Sequence, residues 1–256
     1  MTMVAPIVAP VFGALLLRFT SWRGVFSVLA VIGLLITLAV IAMEETIEQR
    51  SKGSILESLG RLGVVAKNPR LMVLLLTFSL MAIPIMSFIS SSSYIFVNQF
   101  GLSEQVYSYY FAANAVFMVI GPLLYMRLTR LINPISLITV SYVIACFSGL
   151  LIVTIGSQSP MLFALSLLPA TFAGSVTRPP TSNLMLEQQK GDTGAVVSVM
   201  SFTFTIFASI GMMLISLDWA NRVRVMGLMY VVFAFVSLVI WSLIYKKSFV
   251  QKVSLE

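Results

Sequence analysis

Eight apolar runs, each close to the length of a helical membrane crossing and set apart by short polar segments, occupy most of this 256-residue chain. A bilayer's hydrocarbon core is about 30 Å thick and takes about 20 apolar residues per helical crossing, so these runs read as transmembrane helices. They lie at 2–17, 25–43, 71–92, 106–126, 135–155, 161–182, 195–216 and 225–245. The short alternating segments of a membrane β-barrel are absent. With 59% hydrophobic and only 10% charged residues, the chain has too little polar surface for a water-soluble domain. The expected fold is an all-α integral membrane bundle of about eight transmembrane helices.

Position says more than number about the basic residues, because Lys and Arg gather in cytoplasmic loops. Arg50, Lys52, Arg61, Lys67, Arg70, Arg127, Arg130, Arg178, Lys190, Lys246, Lys247 and Lys252 fall on one side; Arg18, Arg23, Arg222 and Arg224 fall on the other. Twelve against four makes the first side cytoplasmic and puts both termini there. This pattern serves orientation and gives no reason to invoke nucleic acid. Trp22, Tyr94 and Trp219 stand near expected outer boundaries, with Trp241 and Tyr245 near an inner one, the usual places for interfacial aromatics.

Chemistry is sparse. With no histidine and a single cysteine, Cys146, the chain has no histidine-based zinc site, triad or intrachain disulfide. No paired carboxylates fall in a span, and neither a phosphate loop nor a metalloprotease motif occurs. The expectation is no catalytic residues, no metal, no cofactor and no enzymatic activity. Cys146 reads as a packing residue.

The one long polar segment, 44–70, begins with Glu44, Glu45 and Glu48 and then turns basic. Within it Ile55, Leu56, Leu59, Leu62 and Val65 recur at helical spacing opposite Ser54, Glu57, Ser58 and Arg61. That pattern fits a short amphipathic helix on the inner membrane face, or equally a plain connector.

The first run contains Ala5-Pro6-Ile7-Val8-Ala9-Pro10-Val11-Phe12-Gly13-Ala14. Small residues at 5, 9 and 13 form a face that admits another backbone, and Pro6 and Pro10 bend the same helix. Together with Thr20-Ser21-Trp22-Arg23-Gly24-Val25-Phe26, this resembles the antiporter motif in helix five of major-facilitator drug:proton exporters, running into helix six. The bicyclomycin/chloramphenicol-resistance (Bcr/CflA) branch is the most similar. Met43-Glu44-Glu45-Thr46 is similar to its P-E-T ending, with Glu44 in place of proline. Phe88 to Tyr94 with Phe100-Gly101-Leu102-Ser103 resembles its seventh helix and outer loop, and Ala112-Ala113-Asn114-Ala115 its eighth. Gly191-Asp192-Thr193-Gly194-Ala195 resembles the opening of helix eleven. The antiporter motif itself departs by exchanging two glycines for Ala9 and Ala14.

The resemblance implies a major-facilitator-type bundle seen from helix five to helix twelve. Residues 1–43 would be the last two helices of an amino-terminal half, 44–70 the cytoplasmic central loop, 71–247 a complete six-helix carboxy-terminal half, and 248–256 a cytoplasmic tail. The implied function is efflux of small hydrophobic or amphipathic compounds from the cell (plasma) membrane by proton antiport. Proton coupling needs an ionisable group within the membrane, and no Asp or Glu falls inside any expected span. The resemblance puts that acid in the amino-terminal half, so the chain is expected to be truncated and not competent alone. A non-transporting membrane fragment or assembly partner is the alternative. Pro6, Ala9, Pro10 and Gly13 are then packing residues, and leucine at Gly13 is expected to clash with a facing helix and lower export.

Five residues are candidates for the substrate cavity. Arg178, before Pro179-Pro180, either lines the cytoplasmic mouth, facing anionic substrate groups or a carboxylate of the missing half, or anchors its helix end by snorkelling. The two prolines are expected to break or end that helix. Asn114, in mid-span, contacts substrate or hydrogen-bonds another helix. Met81, Met86 and Phe88, around a kink expected at Pro84, suit an adaptable apolar lining. Arg127-Leu128-Thr129-Arg130 after Gly121-Pro122 resembles a decayed signature loop, and positive-inside topology accounts for its arginines as well.

Overall fold

The computed structural model describes residues 12–13, 15–17, 19–43, 55–129, 131–189 and 192–251. Its helices are α1 (Trp22–Ile41), α2 (Ile55–Ala66), α3 (Pro69–Gln99), α4 (Glu104–Leu128), α5 (Pro134–Gly156), α6 (Pro160–Leu186), α7 (Thr193–Ile215), α8 (Arg222–Ile244) and the single turn α9 (Ser248–Gln251). Among the described residues, seven helices are long and apolar enough to cross a membrane, all except α2 and α9. The expected first span lies largely outside the described residues, although 12–13 and 15–17 are helical. Pro6, Ala9 and Pro10 also lie outside them.

Polar residues set the start of each later span. The side chains of Asn68, Ser103, Asn133, Ser159, Asp192 and Asn221 each accept a hydrogen bond from an amide in the first turn of the helix that follows. Pro69, Pro134 and Pro160 follow three of these caps, where a missing amide proton costs nothing.

Helices α3 to α8 form one bundle in which α5 packs on α8 and α6, α4 on α6, and α3 on α7. Lipid tails are as apolar as leucine, so such pairs rely on close packing and hydrogen bonds. Where α5 meets α8, a Cβ on Gly149 would stand 2.7 Å from the Val231 nitrogen, and one on Gly227 would stand 2.8 Å from the Val153 nitrogen. Gly211 of α7 lies equally close to the backbone of Ile83, and the Ser87 hydroxyl donates to the Gly211 carbonyl at 2.8 Å. By contrast, α1 buries none of its residues.

The end of the bundle that carries Lys67, Arg70, Arg127, Lys246 and Lys247 is the basic end. A buried cluster there includes Leu71, Leu74, Leu75, Ile138 and Trp241. Trp241 is fully buried and donates to the Thr139 hydroxyl at 2.9 Å, so it is a core residue rather than the interfacial anchor its sequence position suggests. Trp22 and Trp219 are exposed, as expected.

Helix α2 sits against this end. Val65 is fully buried with Leu62 packed beside it, and α2 contacts α7 and α3. Asn68 donates to the Gln188 carbonyl (2.9 Å) and to Gln189 Oε1 (3.0 Å), while Gln188 donates to the Phe249 carbonyl (3.2 Å). Val250, in α9, is fully buried. The Arg61–Asp192 pair at 4.0 Å is exposed and adds little.

Two proline expectations come out differently. Helix α3 is interrupted at Leu80–Met81, just before Pro84, between the α-helical stretches Pro69–Ser79 and Ala82–Ser93. At the break, the Thr77 carbonyl accepts from Ser237 (3.1 Å) and Tyr142 (3.5 Å). The Pro179-Pro180 pair, in contrast, does not break α6, which runs through both. Hydroxyls of Thr177 and Thr181 donate to carbonyls of the same turns, and α4 and α5 pack against the helix. Transmembrane helices tolerate proline under these conditions.

Candidate functional site

A cavity of about 400 Å³ lies within the six-helix bundle, within the range of small-molecule sites. All of α3 to α8 contribute to its wall. The interruption of α3 brings Ser79, Met81 and Ala82 onto it. On the wall towards the basic end stand Arg178, Thr181, Ser182 and Met185 of α6.

Towards the opposite end the cavity stops at Phe88, which stacks on Phe111 with ring centroids 5.8 Å apart and leans on Phe163 at 6.4 Å. Phe96 continues the cluster, 5.4 Å from Phe163 and 5.0 Å from Tyr110. These rings close that end with tightly packed apolar volume. Beyond them Arg222 lies over the Tyr94 ring at 3.8 Å, and Asn221 hydrogen-bonds Ser157.

The structure brings together all five residues singled out from the sequence as cavity candidates: Asn114, Arg178, Met81, Met86 and Phe88 line this one space. Asn114 is buried and donates to the Thr171 hydroxyl at 3.1 Å, so its interhelical role is realised at the cavity wall. Phe88, at 5% exposure, is chiefly a core residue that shows one face to the cavity. Arg178 is exposed and has no carboxylate partner among the described residues. Gly13, of the antiporter stretch, lies apart: a Cβ there would meet nothing within 4 Å among the described residues.

Several residues of the wall escape sequence reasoning. Ser79 and Ser141 are 6% and 9% exposed, face the cavity, and have no hydrogen-bond partner for their hydroxyls among the described residues. For Ser141 a signal exists in the four-residue spacing Ser141-Ala145-Gly149, a small-residue face on α5. For Ser79 nothing marks it out among neighbouring serines until the break in α3 is known. Most other hydroxyls on the wall are engaged: Ser175 donates to the Phe172 and Phe117 carbonyls, and Thr177 to Ala173. No group of three or more Asp, Glu, Cys or His side chains able to hold a metal occurs among the described residues.

Comparison with known proteins agrees with this architecture. An uncharacterized MFS-type transporter, YdgK, of Bacillus subtilis (strain 168) is 26% identical over 90% of this chain and 59% of its own length. The multidrug resistance protein MdtM of Salmonella typhimurium is 32% identical over 42% of this chain and 26% of its own. A bicyclomycin resistance protein homolog of Haemophilus influenzae is 23% identical over 58% of this chain and 38% of its own. The chain thus spans less than two thirds of the length of these curated relatives. The Major Facilitator Superfamily profile matches residues 1–212, and an all-α bundle of membrane-crossing helices accompanies that match: the chain belongs to the Major Facilitator Superfamily.

Proposed function

We propose that the chain carries the carboxy-terminal, ligand-holding half of an exporter of the bicyclomycin/chloramphenicol-resistance type, which moves small hydrophobic or amphipathic compounds out of the cell by proton antiport. The observation that carries this reading is the central cavity, whose wall mixes Met81, Met86 and Phe88 with hydroxyls and Asn114. Flexible thioether and aromatic surfaces accept varied apolar shapes, and scattered polar groups orient them. Members of this superfamily move ligands rather than transform them, so the chain is not an enzyme.

Residues 71–247 act as the six-helix half, 1–43 as two helices of the other half, 44–70 as the central loop and 248–256 as a tail. Both termini face the cytoplasm in the plasma membrane, supported by the twelve-to-four distribution of Lys and Arg. In this orientation the basic end is cytoplasmic and the aromatic cluster closes the outer side. The described carboxylates of the bundle, Glu104, Glu187, Asp192 and Asp218, sit at helix ends or in connections. In this reading the proton-carrying acid is the one the family resemblance puts in amino-terminal helices. Pro6, Ala9, Pro10 and Gly13 pack against that half.

The test is uptake of an uncharged amphipathic fluorophore into everted vesicles, with the chain expressed alone and together with four preceding helices. Acidifying the lumen should drive uptake only when those helices are present, and a protonophore should abolish it. Absence of gradient-driven uptake in both preparations defeats the exporter reading. The second reading is a non-transporting assembly partner, to which the unburied surface of α1 is open. Co-purification of a stoichiometric membrane protein with the inactive chain supports that alternative.

A further inference from the structure

We infer that this cavity is selective for amphipathic anions: an aromatic or aliphatic body carrying one carboxylate or comparable acid, seated on Arg178. The inference rests on the reading of the cavity as a substrate site, and it adds the charge of the substrate.

Arg178 is the one charged side chain on the described wall, and no described carboxylate neutralises it. A guanidinium presents five N–H donors in a planar fork that matches a carboxylate, and it stays charged at any physiological pH. A cationic substrate would meet this charge with nothing opposite to offset it. An uncharged one would leave the fork facing water or lipid headgroups.

The second observation is the pair of idle hydroxyls. Ser79 and Ser141 are more than nine-tenths buried, open onto the cavity and without a hydrogen-bond partner among the described residues. Each hydroxyl opens onto the cavity, so a ligand there can engage it without displacing an existing side-chain hydrogen bond among the described residues. Several other hydroxyls of the wall donate to main-chain carbonyls instead, as those of Ser175, Thr177 and Thr181 do. Ser79 and Ser141 thus keep donors available for acceptor atoms on the ligand. Met86 and Phe88 receive the apolar body further from the basic end.

A matched pair of probes tests this: 2-naphthoate and its neutral isostere 2-naphthamide, which share shape and apolar area. Binding of each is measured by equilibrium dialysis to the purified chain in detergent, for the wild type and for Arg178→Gln, Arg178→Lys and Ser79→Ala. Retained helicity and a monodisperse elution profile qualify each variant. Naphthoate should bind roughly tenfold tighter than naphthamide, the worth of one charge-assisted contact. Arg178→Gln should abolish that preference by weakening naphthoate about tenfold more than naphthamide, Arg178→Lys should retain part of it, and Ser79→Ala should weaken naphthoate several-fold. Equal affinity for the two probes, or a preference that survives Arg178→Gln, overturns the inference; survival would mean that Arg178 only anchors the helix. Gradient-driven vesicle uptake of a neutral fluorophore alongside equal probe binding sinks the anion selectivity and leaves the exporter reading standing. Arg178-dependent naphthoate binding without any driven uptake does the reverse.

Discussion

Asn114 shows how a polar residue in the membrane holds a structural and a functional position at once. Its amide spans from α4 to Thr171 on α6, and both groups lie on the cavity wall. Interhelical hydrogen bonds in membrane proteins contribute on average about 0.6 kcal/mol and at most about 1.7. Asn114→Leu should therefore cost about that much, read as a fall of a few degrees in the thermal unfolding midpoint of the detergent-solubilised chain. An unchanged midpoint would show that the bond adds nothing to stability. At this scale Asn114 and Arg178 were legible in the sequence, since an amide or a charge inside an apolar run stands out. Ser79 and Ser141 were not, because serine is common in these runs and only the break in α3 and the packing of α5 determine which hydroxyls lack a partner.

At the scale of the helix, hydropathy alone located the seven spans among the described residues, because lipid solvation selects for apolar length whatever the neighbours. The contacts between helices needed the structure. At the α5–α8 crossing, Gly149 and Gly227 let two backbones touch, and overpacking such a site costs about 1–3 kcal/mol or more. Gly149→Val should lower the unfolding midpoint sharply or prevent assembly, whereas Gly33→Val, on the open surface of α1, should leave it unchanged because a Cβ there meets nothing within 4 Å. Equal effects of the two would refute the close crossing. Gly13 likewise meets nothing within 4 Å among the described residues, so Gly13→Leu should not destabilise the described bundle by itself. Any loss of export in a longer protein must then come from a facing helix of the other half. The prolines of α6 misled for a related reason: proline's effect on a helix depends on which hydroxyls and neighbouring helices surround it, and neither is visible in a run of letters.

For the whole molecule, the basic end is joined through Asn68 to the Gln188–Gln189 segment and through Gln188 to α9. The amphipathic spacing of 55–65 foretold a helix, but the sequence left a membrane-surface helix and a plain connector open. The burial of Val65 shows that α2 lies on protein. Asn68→Ala removes both the cap of α3 and these cross-links, at about 1–2 kcal/mol. Hydrogen exchange should quicken in α2 and the first turn of α3 while the α5–α8 crossing keeps its protection. Uniform loss of protection would mean that the clasp and bundle unfold as one unit. The docking of α2 also sets a leash. Fourteen residue steps separate Ile41 from Ile55, a reach of at most about 50 Å, whereas a connector loose as far as Pro69 would extend to about 100 Å. Because α1 is a membrane-crossing helix held in the bilayer plane, halving that radius confines it to about one quarter of the membrane area, and its effective concentration near the bundle rises about fourfold.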